Sequence, residues 1–134
     1  MNKALLKELL MEDRRRYRFR IWHPAEKKMM PVISMTRGGI VAQDADATQT
    51  YPRESVVLMQ YAALLDINQQ EIYEGDVVEL AGEPHGVHFE GGGFKLKHLS
   101  KPDAEPRPLD QSAVDRYKLR VVGNIYQPDL YLEP

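Results

Sequence analysis

Three histidines stand close together in the chain, His85, His88 and His98, and their type makes them the first place to look for chemistry. Imidazole nitrogens are common zinc ligands, but a closed site needs four converging donors and an open one three. His85 and His88 are three residues apart, so on a strand they point to opposite faces. The chain has no cysteine to complete a set, and no metal site is expected. Asp66, Glu71, Glu74 and Asp76 crowd a second region where an acid/base pair or a cation site is conceivable. Each also sits where a turn or cap favours a short polar residue, and that reading is preferred. Gly91-Gly92-Gly93 is not followed by a helix start, so it lacks the amide-lined terminus that lets glycine-rich loops hold phosphate. A hairpin turn is expected there. Ser34, Ser55, Ser100 and Ser112 have no nucleophile-elbow pattern around them. No catalytic, cofactor-binding or metal-binding residue is assigned, and the chain is expected not to be an enzyme.

Charge offers a different chemistry. Residues 1–40 hold ten Lys/Arg against four Asp/Glu, whereas residues 41–134 hold eight against sixteen. The centre of the basic part is Arg14-Arg15-Arg16 with Arg18 and Arg20. A nucleic-acid module would place these arginines on phosphates and stack Tyr17 and Trp22 on bases. Against this, Arg18-Phe19-Arg20-Ile21-Trp22 alternates polar and apolar, which reads as a strand burying Tyr17, Phe19 and Ile21 with its arginines, from Arg16 onward, on the wet face. The overall pI of about 6.1 also disfavours non-specific phosphate binding, which depends on many cationic contacts. A solvated strand face or a subunit contact with the acidic remainder is the preferred reading.

These residues need a scaffold, and composition says one is available. The chain has 134 residues, 43% of them apolar and 28% charged, enough for one domain to bury a core without disulfides or metal. No apolar run approaches the roughly 20 residues of a membrane span. Lys3, Lys7 and Glu8 make residues 1–10 too polar for a signal-peptide core. With no cysteine, a reducing interior fits, and a cytoplasmic location, with no membrane partner, is expected.

Asn2 is placed to cap a short helix in which Leu5, Leu6, Leu9 and Leu10 recur at helical spacing. Such a helix is marginal alone and needs a core or a neighbouring subunit for its leucines. A strand over Tyr17–Trp22 ends at His23-Pro24, turns at Glu26-Lys27-Lys28 and pairs with Met29–Met35 as a first hairpin. Ile40-Val41 reads as a short strand, residues 44–53 as a loop, and the first half of Val56–Leu65 as a strand. After the turn at residues 66–70, Glu71–Asp76 breaks direction before a strand at Val77–Leu80. Val87–Glu90 then pairs with Phe94–Lys97 across the glycines, residues 100–112 form an exposed proline-rich loop, and Arg116–Tyr126 closes the fold as a strand. The expectation is a single domain over 1–134, with a helix at 1–13, strands and a loop at 14–57, and a barrel-like core at 58–134. Short strands with glycine turns must hide their edges, so the fold class expected is mainly β with a short N-terminal helix, an SH3-like partly open barrel with added N-terminal strands.

The chain resembles the YopX family of phage and prophage proteins over most of its length outside the first dozen residues and the proline-rich loop. The resemblance is carried by Phe19-Arg20-Ile21-Trp22 with Lys28-Met29-Met30, Leu58-Met59-Gln60-Tyr61, Leu64, Asp66, Asn68, the run from Glu71 to Val78, Gly92-Gly93-Phe94, and Val122-Gly123-Asn124-Ile125-Tyr126. Where the family has Gln-Tyr-Thr-Gly-Leu this chain has Gln60-Tyr61-Ala62-Ala63-Leu64, and where it commonly has Asn-Gly this chain has Asn68-Gln69. Losing those glycines makes the turn less permissive of positive φ, which bears on its geometry and not on its existence. The resemblance implies a phage or prophage origin, no established activity, no site residues to carry over, and assembly as a homo-oligomer. The function expected is a non-enzymatic, self-associating interaction module engaging a host or phage protein. The alternative is a nucleic-acid-binding module using Arg14, Arg15, Arg16, Arg18, Arg20 and Trp22.

Overall fold

The computed structural model describes residues 2–16 and 18–128, the side chains of residues 10–16 excepted. It divides into two compact units, residues 1–61 and 62–134. The first opens with α1 (Lys3–Arg16). Asn2 caps it: its side-chain oxygen accepts the backbone N–H of Ala4 at 2.9 Å and of Leu5 at 3.2 Å, satisfying two of the donors that every helix start leaves open. The helix passes the expected end at residue 13, because Met, Glu and Arg are good helix formers and nothing breaks them. Arg14, Arg15 and Arg16 therefore belong to α1. The expected strand start at Tyr17 lies outside the described residues.

Strands β1 (Phe19–His23), β2 (Lys28–Thr36), β3 (Gly39–Asp44), β4 (Ala47–Tyr51) and the start of β5 (Val57–Leu65) follow. They lie in the order β4-β3-β2-β1-β5, antiparallel throughout. Register places Ile21 opposite Met30, Val32 opposite Ala42 and Ile40 opposite Tyr51, so these residues share one face and make the core of this unit. The first hairpin is as expected. The loop expected at residues 44–53 is instead largely β4, whose first four residues are all exposed. An edge strand with polar residues on both faces carries no alternation to read.

In the second unit β5 runs on to Leu65, and β6 (Glu71–Tyr73) lies beside it across the turn at residues 66–70. Next come β7 (Asp76–Leu80), β8 (Glu83–Glu90), β9 (Gly93–His98), β10 (Arg107–Pro108), α2 (Gln111–Tyr117) and β11 (Arg120–Asn124). Their antiparallel sheet has the order β10-β9-β8-β7-β11. It ends on β10 and β11 without joining them, as a partly open arrangement requires. Leu109, Ala113 and Val114 pack with Ile72, Val78, Leu80, Val87, Leu96 and Leu119 as its core.

The helix α2 corrects the expectation of a loop to Ser112 and a strand from Arg116. Asp110 accepts the N–H of Ala113 at 2.8 Å, and Lys118 ends the helix in the left-handed conformation at φ 53°. The Tyr117-Leu119-Val121 alternation that resembled a strand is split, with Tyr117 on the helix and Val121 on β11. The mainly β class and the N-terminal helix stand. Among the described residues no helix is long and apolar enough to cross a membrane.

Candidate functional site

The second unit holds a cleft of about 490 Å³ whose walls include Leu80, Glu83, His85, His98, Lys101 and Arg107. The β8–β9 hairpin positions the two histidines. Gly91 and Gly92 turn the chain at φ 61° and 82°, the left-handed geometry that a two-residue hairpin demands and glycine allows. From that turn the register steps through Phe89 opposite Phe94 and Val87 opposite Leu96 to His85 opposite His98. The His85 and His98 rings meet edge to face with centroids 4.6 Å apart. Both are buried, at 4% and 8% exposure. His88 faces the other side of the sheet, as its spacing from His85 requires.

Hydrogen bonds assign the protons. His98 Nδ1 accepts the backbone N–H of Ser100 at 3.0 Å and of Lys101 at 3.1 Å, so its own proton sits on Nε2, directed at the Glu83 carboxylate. His85 instead has Nδ1 at 3.0 Å from the Glu83 carbonyl oxygen, to which it must donate, leaving Nε2 as the basic nitrogen. Lys101 lies 3.6 Å from the second Glu83 carboxylate oxygen. The hydrogen bond from His98 holds the Glu83 carboxyl below its usual range, while burial pushes the His85 imidazolium below its ordinary value.

This arrangement limits what the cleft can do. Both nitrogens of His98 are committed, so it cannot ligate a metal without losing its hold on residues 100 and 101. Among the described residues no three His, Asp or Glu side chains converge as a metal site would need. Among the described residues no hydroxyl or thiol side chain lines the cleft. Glu83 and Lys101 complete the network, and no motif in the sequence marks them.

Three of the four crowded acids bond to groups of the chain itself. Asp66, 2% exposed, accepts the N–H of Asn68 at 2.8 Å and of Gln70 at 2.9 Å through Oδ1, and that of Val121 at 2.8 Å through Oδ2. Asp76 accepts the N–H of Tyr73 at 2.7 Å, and Glu71 the Tyr73 hydroxyl at 3.4 Å. Both positions at which this chain lacks the family's glycine adopt positive φ, 61° at Ala63 and 67° at Gln69. Ala63 lies within β5 and Gln69 in the turn at residues 66–70, and at each a side chain bears the strain of a left-handed backbone.

The basic stretch is divided between elements. The side chains of Arg14, Arg15 and Arg16 and the whole of Tyr17 lie outside the described residues. Arg18 is exposed, its guanidinium 5.6 Å from the centre of the Tyr61 ring. Arg20 is half-buried with Nη2 3.8 Å from the Met59 sulfur. Trp22 is only 6% exposed, so its ring offers no free face to a base. The leucines of α1 are the reverse: Leu5, Leu6 and Leu9 are 52%, 41% and 51% exposed.

A family model described as YopX protein matches residues 18–133. No curated protein matches the chain. Among solved structures, protein EF1440 from Enterococcus faecalis is similar at 22% identity and a TM-score of 0.57, with 87% of this chain and 98% of that one covered. Protein yopX from Bacillus subtilis is similar at 18% identity and a TM-score of 0.52, over the same shares of each chain. These likenesses are likenesses of fold.

Proposed function

The chain belongs to the YopX family, and on that premise we propose that it is a non-enzymatic, phage- or prophage-encoded protein that self-associates through α1 and serves in the host cytoplasm as an interaction module for a host or phage protein. The observation that carries the self-association is the exposed leucine face of a capped helix, Leu5, Leu6 and Leu9. A helix of this length has little stability of its own in water. Packing its leucines against those of a second copy removes apolar surface at about 25 cal/mol per Å². Charge favours the same partner, since residues 1–40 carry a formal +6 and residues 41–134 a formal −8. The non-enzymatic reading is supported by the commitment of His98 and the turn acids to backbone groups. The nucleic-acid alternative loses one of its two stacking residues with the burial of Trp22.

Sedimentation velocity at micromolar concentration tests this. The wild type is expected to sediment as an oligomer, and Leu5→Glu with Leu9→Glu to yield a smaller species with unchanged β-sheet circular dichroism. A monomeric wild type, or a double variant of unchanged mass, overturns assembly through α1.

A further inference from the structure

We propose that β4 is a docking edge for a second copy of this chain, the two β4 strands pairing antiparallel about a twofold axis through Gln49. The inference rests on the self-association proposed above and names a second surface for it.

Sheet edges are where unpaired backbone groups invite another strand, and proteins blunt them with prolines, charges, bulges or brevity. Among the described residues three of the four sheet edges are blunted. Strand β10 has two residues, one of them Pro108; β6 has three; β11 is bulged between Val121 and Gly123. Strand β4 has none of these devices. It reads Ala47-Thr48-Gln49-Thr50-Tyr51, without charge or proline, and pairs β3 in unbroken register. Among the described residues it has no neighbour on its other side.

Hydrogen-bond parity says which groups face outward. The turn at Ala45-Asp46 has two residues and closes on Asp44 opposite Ala47, a pair that exchanges both hydrogen bonds in such hairpins. Hydrogen-bonded pairs then alternate along the ladder, so Ala47, Gln49 and Tyr51 direct their N–H and C=O groups at β3, while Thr48 and Thr50 direct theirs away. A twofold axis through Gln49 sets Thr48 of each copy opposite Thr50 of the other, and the outward groups meet as four N–H···O=C bonds. Shifting the register by one residue would set outward groups against inward ones. At the favoured register threonine faces threonine and Ala47 faces Tyr51, so no like charges oppose each other and the cross-strand pairs are favourable ones. Just beyond the pairing, Asp46 of each copy comes level with Pro52 of the other, next to Arg53.

Two variants test the edge. Thr50→Pro removes one outward N–H and spares the ladder to β3, a position where a sheet tolerates proline. Thr48→Lys with Thr50→Lys keeps every backbone group and sets lysine opposite lysine in the proposed pair. Each variant is measured by sedimentation velocity, with circular dichroism to confirm the fold. The mass of the wild-type oligomer is expected to halve in both. A folded lysine variant of unchanged mass overturns the β4 pairing and leaves self-association standing. A monomeric wild type overturns both.

Discussion

His85 and His98 lie edge to face across one hairpin with ring centroids 4.6 Å apart, yet they carry their protons on different ring nitrogens. The cause is the backbone around each ring. A carbonyl stands beside Nδ1 of His85, and two N–H groups point at Nδ1 of His98. Neighbouring imidazoles of the same kind thus become a donor to the main chain and an acceptor from it.

Stability should fall with acidification in two stages. Burial holds the folded-state value of His85 below its ordinary 6.5, so as pH falls below 6.5 the unfolded chain binds a proton that the folded chain refuses. The slope from this one group is at most about 1.4 kcal/mol per pH unit. Glu83 is held below its ordinary 4.5, so the stability it contributes is full above that value and is lost as pH falls through its lower folded value. Urea midpoints at pH 8, 6 and 5 should decline in the wild type and decline less in His85→Phe. Parallel declines would show that His85 is not the titrating group.

Asp66 should be the most sensitive acid in the chain. Asp66→Ala leaves three backbone N–H groups without their acceptor, a loss of about 3–4 kcal/mol, and Asp66→Asn, which turns an amide donor toward one of them, loses about 2 kcal/mol. Chemical denaturation measures both. A change below about 0.5 kcal/mol in the alanine variant, the range of an ordinary surface substitution, would remove the carboxylate from this role.

Restoring glycine where the chain already has positive φ should stabilise it. Ala63→Gly and Gln69→Gly each relieve a left-handed side chain, and after the entropy that glycine adds to the unfolded state about 0.5–1 kcal/mol remains. Thermal melts should rise for each variant and rise further for the pair. Lower melting temperatures would mean that the side chains pack better than their backbone geometry implies.

Gly39 should admit no other residue. A Cβ there would stand 2.3 Å from the Tyr51 carbonyl oxygen, at a φ of 140°. Neither the backbone conformation nor the space suits an L side chain, and Gly39→Ala is expected to lose at least about 2 kcal/mol. Since the clash is with β4, hydrogen exchange in that variant should quicken first at Ala47, Gln49 and Tyr51, the residues whose amides face β3. Uniform protection across the sheet would contradict the clash.

What could be read from the sequence was what local chemistry determines. The β1–β2 and β8–β9 hairpins announce themselves through alternation and turn residues, and the helix through Asn2 and its leucines. Asp66 is recognisable as a turn residue, but its bond to Val121 is not, because the partner is 55 residues away and is a backbone group without a side-chain signature. Strand β4 was hidden by its polarity. Helix α2 was hidden by its shortness, although Asp110 with Leu109, Ala113 and Val114 is a legible cap and apolar stripe. The facing of His85 and His98 follows from counting back from the glycine turn. Their tautomers do not, since Ser100 and Lys101 act through main-chain amides that every residue but proline possesses.

The bond from Asp66 to Val121 also bears on how the chain is made. During synthesis the turn at residues 66–70 emerges early and can engage one oxygen of its carboxylate at once. The other oxygen must wait in water until β11 leaves the ribosome. A product cut short before Val121 would keep a charged group that the finished protein buries, and would remain open to proteases on that account. One carboxylate thereby ties the completion of an early turn to the arrival of a strand 55 residues further on.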